Sequence, residues 1–123
     1  MNTTYQNNVV LNVVRNRDYS IDFIVRADLT GYAAKSQIRL SPKSNSDLIA
    51  EFTVTIGVYS TFTDPNDPSI TYQGTLLTLS LSKVITGAII IDNGFWDIEL
   101  IDQNWLSNSI FGGIVNFIDV PTI

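Results

Sequence analysis

The chain has no cysteine and no histidine. The first absence excludes disulfides and thiolate metal sites. The second removes the commonest general base, the imidazole of a catalytic triad and the usual zinc ligand. Charged residues make up only 15% of the sequence, against roughly 25% in an average domain. Asn, Ser and Thr take their place, and such a surface suits assembly because few charges have to be desolvated at a contact. Bases are missing altogether from 84–123, which holds Asp92, Asp97, Glu99, Asp102 and Asp119. Residues 1–83 balance to zero, so this last stretch carries the whole formal charge of −5. A net acidic chain is a poor nucleic-acid binder, since phosphate contacts need Lys and Arg. No apolar run approaches the ~20 residues of a membrane helix. The polar start Met1-Asn2-Thr3-Thr4-Tyr5 lacks the basic region of a signal peptide, so synthesis in a cytoplasm without export is expected.

What is present is alternation, the period of a half-buried strand. Tyr19, Ile21, Phe23 and Val25 share one face of a strand, and Ser20, Asp22 and Arg26 share the other. The same pattern places Ala34, Ile38 and Leu40 inward on a strand over 33–40. On a longer strand over 48–58 it does so for Ala50, Phe52, Val54, Ile56 and Val58. Leu77, Leu79 and Leu81, then Trp96, Ile98 and Leu100, repeat it. A first strand is expected over 9–14 and a closing one over 109–120. Asp28-Leu29-Thr30-Gly31 and Asp92-Asn93-Gly94 are turns, and Asp64-Pro65-Asn66-Asp67-Pro68-Ser69 is a hairpin tip that cannot hold a regular ladder. Ser82 can cap one short helical turn. The expectation is an all-β fold, an immunoglobulin-like antiparallel sandwich of about seven strands over 8–123, with a flexible polar arm over 1–7. In that order the 33–40 strand pairs with the 94–101 strand. Lys35 or Arg39 should then meet Asp97 or Glu99 across the sheet.

Few residues point to chemistry. Asp64, Asn66 and Asp67 gather oxygen ligands as calcium loops do, but lack the fixed glycine and distal glutamate of an EF-hand; a turn uses the same residues for backbone reasons. Asp97 and Glu99 flank Ile98 on the outward face, where cross-strand pairing is favoured over acid–base work. Gly112-Gly113 lacks the helix and lysine of a phosphate loop and reads as a bulge or a close approach. No catalytic, cofactor or metal residues are expected. The candidate contact residues are Tyr5 in the arm, Tyr59, Phe62 and Tyr72 around the proline-rich hairpin, and Trp105 with Leu106 in a polar loop. Trp105 can anchor a protein partner, stack on a sugar ring, or fold back over the end of the sandwich.

Five short stretches recur in a recognisable order. They are Asp28-Leu29-Thr30-Gly31-Tyr32, then Gln37-Ile38-Arg39, then Leu77-Thr78-Leu79-Ser80-Leu81, then Gly94-Phe95-Trp96-Asp97-Ile98-Glu99-Leu100, and Ile110-Phe111-Gly112-Gly113. In this order, from about Tyr19 to Thr122, the chain resembles small β-sandwich domains of tailed-phage virions, the kind found at the N-terminus of upper baseplate proteins. The stretch from Tyr59 to Gln73 is an insertion relative to that pattern. The resemblance implies a non-enzymatic virion protein that docks onto other capsid, tail, baseplate or neck proteins, in many copies or as a homo-oligomer. Because nothing follows Ile123, a free-standing accessory is expected, such as a capsid decoration or an adaptor. The alternative is a carbohydrate- or receptor-binding module using Trp105.

Overall fold

A computed structural model describes residues 9–43 and 45–119, with backbone alone at 107–110. The arm over 1–7, and Tyr5 with it, lies outside the described residues. The chain forms β1 (Leu11–Val14), β2 (Tyr19–Val25), β3 (Ala33–Arg39), β4 (Leu48–Ile56), β5 (Ser60–Thr63), β6 (Thr71–Leu81), α1 (Lys83–Ala88), β7 (Asn93–Ile101) and β8 (Ser107–Ile118). The fold is all-β. Strand order along the sheet is β1-β8-β7-β3-β4-β6-β2, with β5 beside β6. β1 runs parallel to β8; the other pairs are antiparallel.

The two ends of that path, β1 and β2, are joined only by residues 15–18. Such a link reaches at most roughly 18 Å, so the sheet curls back on itself almost into a barrel. The curl turns on β4. Ala50 and Phe52 pair with Ile38 and Ser36 of β3, whereas Thr53 to Ile56 pair with Ser80 to Leu77 of β6. The strand therefore changes partner between Phe52 and Thr53. The alternating residues meet inside. Leu11, Val13, Ile38, Phe52, Leu79, Trp96, Ile98 and Val115 form the main core, and Leu29, Leu77 and Leu100 a second cluster toward one end. Phe23 stacks between Trp96 and Phe111, at 5.6 and 5.0 Å between ring centroids.

Ser82 caps α1 as its position suggests, its hydroxyl accepting from the Ile85 N–H at 3.3 Å. The register β3–β7 is also as expected, with Lys35 opposite Glu99 and Gln37 opposite Asp97. Other expectations are corrected. Among the described residues there are eight strands rather than about seven, because 60–63 forms β5 against the start of β6. Leu40 is 48% exposed because the ladder shifts between Ile38 and Arg39 and β3 then ends. Val58 is 82% exposed because it lies past Ile56, where the strand has left the core. The closing strand begins at Ser107 rather than at residue 109, which shortens the loop before it. Gly113 marks a close approach: a Cβ there would lie 2.4 Å from the Val9 carbonyl oxygen.

One residue closes the far end, by α1. Arg15 donates from Nε to the Ile89 carbonyl at 2.9 Å and from Nη1 to the Phe117 carbonyl at 3.4 Å. Its Nη2 reaches the Ile91 carbonyl. Asp92 and Asp119 lie 3.3 and 3.0 Å from the same guanidinium.

Candidate functional site

The opposite end gathers the β2–β3 loop, the β7–β8 loop and the β5–β6 hairpin. The registers require this: Val25 faces Thr75, Ala33 faces Ile101, and Ile101 faces Ser107. β5 pairs with β6 over Thr71 to Gly74, beyond Thr75, so the hairpin projects past β2. Leu29, 3% exposed, plugs this end against Leu77 and Leu100. The loop that carries it is held by Asp28, whose carboxylate accepts from Thr30 N–H at 3.0 Å and Thr30 Oγ1 at 2.6 Å. Those bonds from Thr30 hold the Asp28 carboxyl below its ordinary range. Gly31, at φ +82°, lies under the Gln103 side chain; a Cβ would meet Gln103 Nε2 at 2.2 Å. The two loops are thereby packed together.

The β7–β8 loop is tied to itself by hydrogen bonds. The Asp102 carboxylate accepts the N–H groups of Asn104 at 2.8 Å and Leu106 at 3.0 Å. The Asp102 N–H donates to the Leu106 carbonyl at 3.0 Å, and the Trp105 N–H to the Asp102 carbonyl at 3.1 Å. Three residues are thus enclosed, and hairpin loops of this length end on a left-handed residue that is usually glycine. Here that residue is Trp105, at φ +63°. A left-handed conformation costs a side-chain-bearing residue roughly 1–2 kcal/mol. The indole does not recover it by packing: Trp105 is 86% exposed and Leu106 62%. Folding back over the end of the sheet, one of the three expectations for Trp105, is not what the structure shows.

The hairpin aromatics are placed differently. Phe62 and Tyr72 stack on each other at 6.0 Å, and the Arg26 guanidinium sits 4.2 Å above the Tyr72 ring. Tyr59 donates its hydroxyl to Gln73 Oε1 at 3.0 Å. These rings stiffen the hairpin and tie it to the β2–β3 loop. The hairpin tip uses its acids for turns. The Asp64 carboxylate accepts from Asn66 N–H, and that of Asp67 from Ser69 N–H and Oγ. Ser69 holds the Asp67 carboxyl below its ordinary range. The structure thus brings Tyr59, Phe62, Tyr72, Trp105 and Leu106 to one end. It adds residues that sequence reasoning did not single out, Tyr32 at 36% and Ile70 at 49% exposure. Tyr32 had a signal, its place directly after the Gly31 turn.

Concavities also lie elsewhere among the described residues. One, of about 570 Å³, lies on the outward face and is lined by Lys35, Gln37, Arg39, Phe95, Asp97 and Glu99 among others. There burial, and then the charge of Glu99, push the Asp97 carboxyl above its ordinary value, against the pull of Arg39 and Lys35. Arg39 is already engaged, donating to the Ser46 carbonyl and to Gln37 Oε1, each at 2.7 Å. Another, of about 510 Å³, is apolar and lies between β4 and α1, with Leu48, Ile49, Ile85, Ile89 and Ile91 in its walls. Among the described residues no three carboxylates come together as a metal site, and no helix is long and apolar enough to cross a membrane. In comparisons with known proteins, no family model matches the chain and no curated protein does.

Proposed function

We propose that this chain is a non-enzymatic binding protein that docks through the Trp105 end. In the reading that its motif order favours, it is a structural protein of a tailed-phage virion. The observation that carries docking is Trp105: a large apolar ring held out in solvent, on a loop locked by four hydrogen bonds, in a backbone conformation that disfavours it. Strain of this kind persists where the surroundings over-determine it, and it clusters at binding sites. A tryptophan with an adjacent leucine on a rigid loop is the typical anchor of a protein contact, and the rigid loop lowers the entropy lost on binding. The immunoglobulin-like sandwich is part of the same proposal. It is supported by β1 running parallel to β8, by the order β8-β7-β3 in one layer and β2-β6 in the other, and by β4 crossing between them. The carbohydrate alternative uses the same exposed indole as a stacking platform and is decided by the same variant.

The test is Trp105→Gly. Glycine relieves the left-handed residue, so the variant should be as stable as the parent or slightly more so. It should enter purified particles at a small fraction of the parental copy number, read by quantitative mass spectrometry. Normal incorporation would remove the docking assignment. Unchanged incorporation with lost binding on a glycan array would move the function to sugars.

A further inference from the structure

Among the described residues, one long strand edge carries no charge and no proline. β4 and β5 form one bent strand along β6. Ile56 pairs with Leu77 and Ser60 with Gly74, so a single extra residue bulges between them. On the other side, β3 covers β4 only as far as Phe52. From 53 to 63, therefore, the side away from β6 has no strand against it among the described residues. The edge spans about 35 Å at strand rise. Its sequence is Thr-Val-Thr-Ile-Gly-Val-Tyr-Ser-Thr-Phe-Thr, with no charge and no proline. Natural sheets blunt such edges with lysine, proline, inward charges or a bulge, because the open N–H and C=O groups template pairing with another chain; the bulge within 57–59 is the device present here, and no charge or proline reinforces it. The opposite edge of the same layer, β2, is guarded by charge, with Asp22 on the strand and Asp18 and Arg26 at its ends.

We propose that 53–63 is a self-association edge, and that its occupant is the same edge of a second copy. The pair would be antiparallel about a two-fold axis and would join the two β2-β6-β4/β5 layers into one continuous sheet. Charge selects the partner. The net charge of −5 lies entirely in 84–123, so surfaces built from that stretch repel a second copy. The 53–63 edge is the long strand edge where two copies can meet without opposing like charges. A register centred on 58 pairs 53–63 with itself and sets Asp64 of one copy against Phe52 of the other. A two-fold pairing is also self-complementary without further design. The exposed Val58, at 82%, and Tyr59 fall at the middle of such a contact. About ten residues a side is roughly half of a standard interface, so the dimer should be weak alone and form in the micromolar range. This inference rests on the edge and its charge pattern, independently of Trp105.

Sedimentation velocity of the whole chain across a wide concentration range reads it. The parent should pass from monomer to dimer. Thr55→Lys with Thr61→Lys adds two bases on exposed positions of the edge and should remain monomeric throughout, with unchanged far-UV circular dichroism. Val58→Asp, at a side chain the fold leaves exposed, should do the same and serves if the lysine pair misfolds. Ser20→Lys with Val84→Lys adds the same charge to β2 and α1 and should dimerise like the parent. Trp105→Gly should also dimerise, which separates this contact from docking through the Trp105 indole. A parent that stays monomeric at every concentration overturns the proposal. So does a dimer that survives both edge variants or is lost in the β2 and α1 control.

Discussion

Replacing Arg15 by Met keeps most of the apolar stem and removes every donor. Arg15 is 11% exposed at its side chain, and its guanidinium bonds the carbonyls of Ile89, Ile91 and Phe117. Those carbonyls belong to the segment after α1 and to the end of β8, so a single side chain pins the curled sheet shut beside the β1–β2 turn. Leaving a buried acceptor without a donor costs about 1–3 kcal/mol. These sites are partly reached by water, so the low end applies, and three carbonyls give about 3 kcal/mol. Asp92 and Asp119 add little, because their side chains are 92% and 83% exposed and such pairs contribute roughly 0–1 kcal/mol. For a domain of this size about 3 kcal/mol corresponds to a melting temperature lower by about 10 °C. Arg15→Lys should recover roughly half, since an ammonium cannot span three carbonyls at once. The assay is urea unfolding of all three chains at about 0.05 and 0.5 M NaCl. The carbonyl account requires the Arg15→Met loss to be nearly the same at both salts. A loss that collapses at high salt would assign the effect to the surface carboxylates, and a loss below about 1 kcal/mol would refute the reasoning outright.

Asp97→Asn should stabilise the protein at neutral pH. Burial raises the Asp97 carboxyl above 3.8 in the fold, so the native state binds the proton more tightly than the unfolded chain does. Stability from this group is then present below the unfolded value and is lost as pH rises through the folded one. The asparagine variant should therefore gain in thermal scans at pH 7 and show no gain at pH 3.5; an equal gain at both would point to packing rather than charge. Trp96→Phe should cost about 1–2 kcal/mol in urea unfolding, because it keeps the ring packing against Phe23 and Phe52 but drops the Nε1–H bond to the Val9 carbonyl at 2.9 Å. Trp96→Ala should cost about 3–5 kcal/mol by opening the core, and equal losses for the two would mean that the indole bond, not the packing, dominates.

The alternating strands were legible because alternation reports a face. Phe23, Ile38, Phe52, Leu79 and Trp96 fall inside because side chains on a strand must point to one face or the other, whatever the strand pairs with. The Ser82 cap and the Asp64–Ser69 tip were legible for a related reason: each is a local bond between a side chain and nearby backbone. What alternation does not report is the edge. Nothing local in Phe52-Thr53 signals that β4 leaves β3 for β6 there, and nothing local in Arg15 names carbonyls more than seventy residues away. Leu40 and Val58 went wrong for this reason. The period ran on through them, but the partners that would have buried them had ended.

The same distinction separates the two surfaces. The hairpin and the Trp105 loop could be picked from sequence as segments that a minimal sandwich does not need. Only the backbone shows that Trp105 occupies a glycine position and that its indole is left in water. The 53–63 run reads from sequence as an ordinary β-prone segment, and in the middle of a sheet its lack of charge would be what burial requires. It acquires meaning once the pairing of β4 with β3 is seen to stop at Phe52. The uncharged run then lies along a strand edge that no other strand covers among the described residues, with no charge or proline to discourage pairing. An uncharged strand in the middle of a sheet is packing, whereas the same strand at an edge is a contact surface.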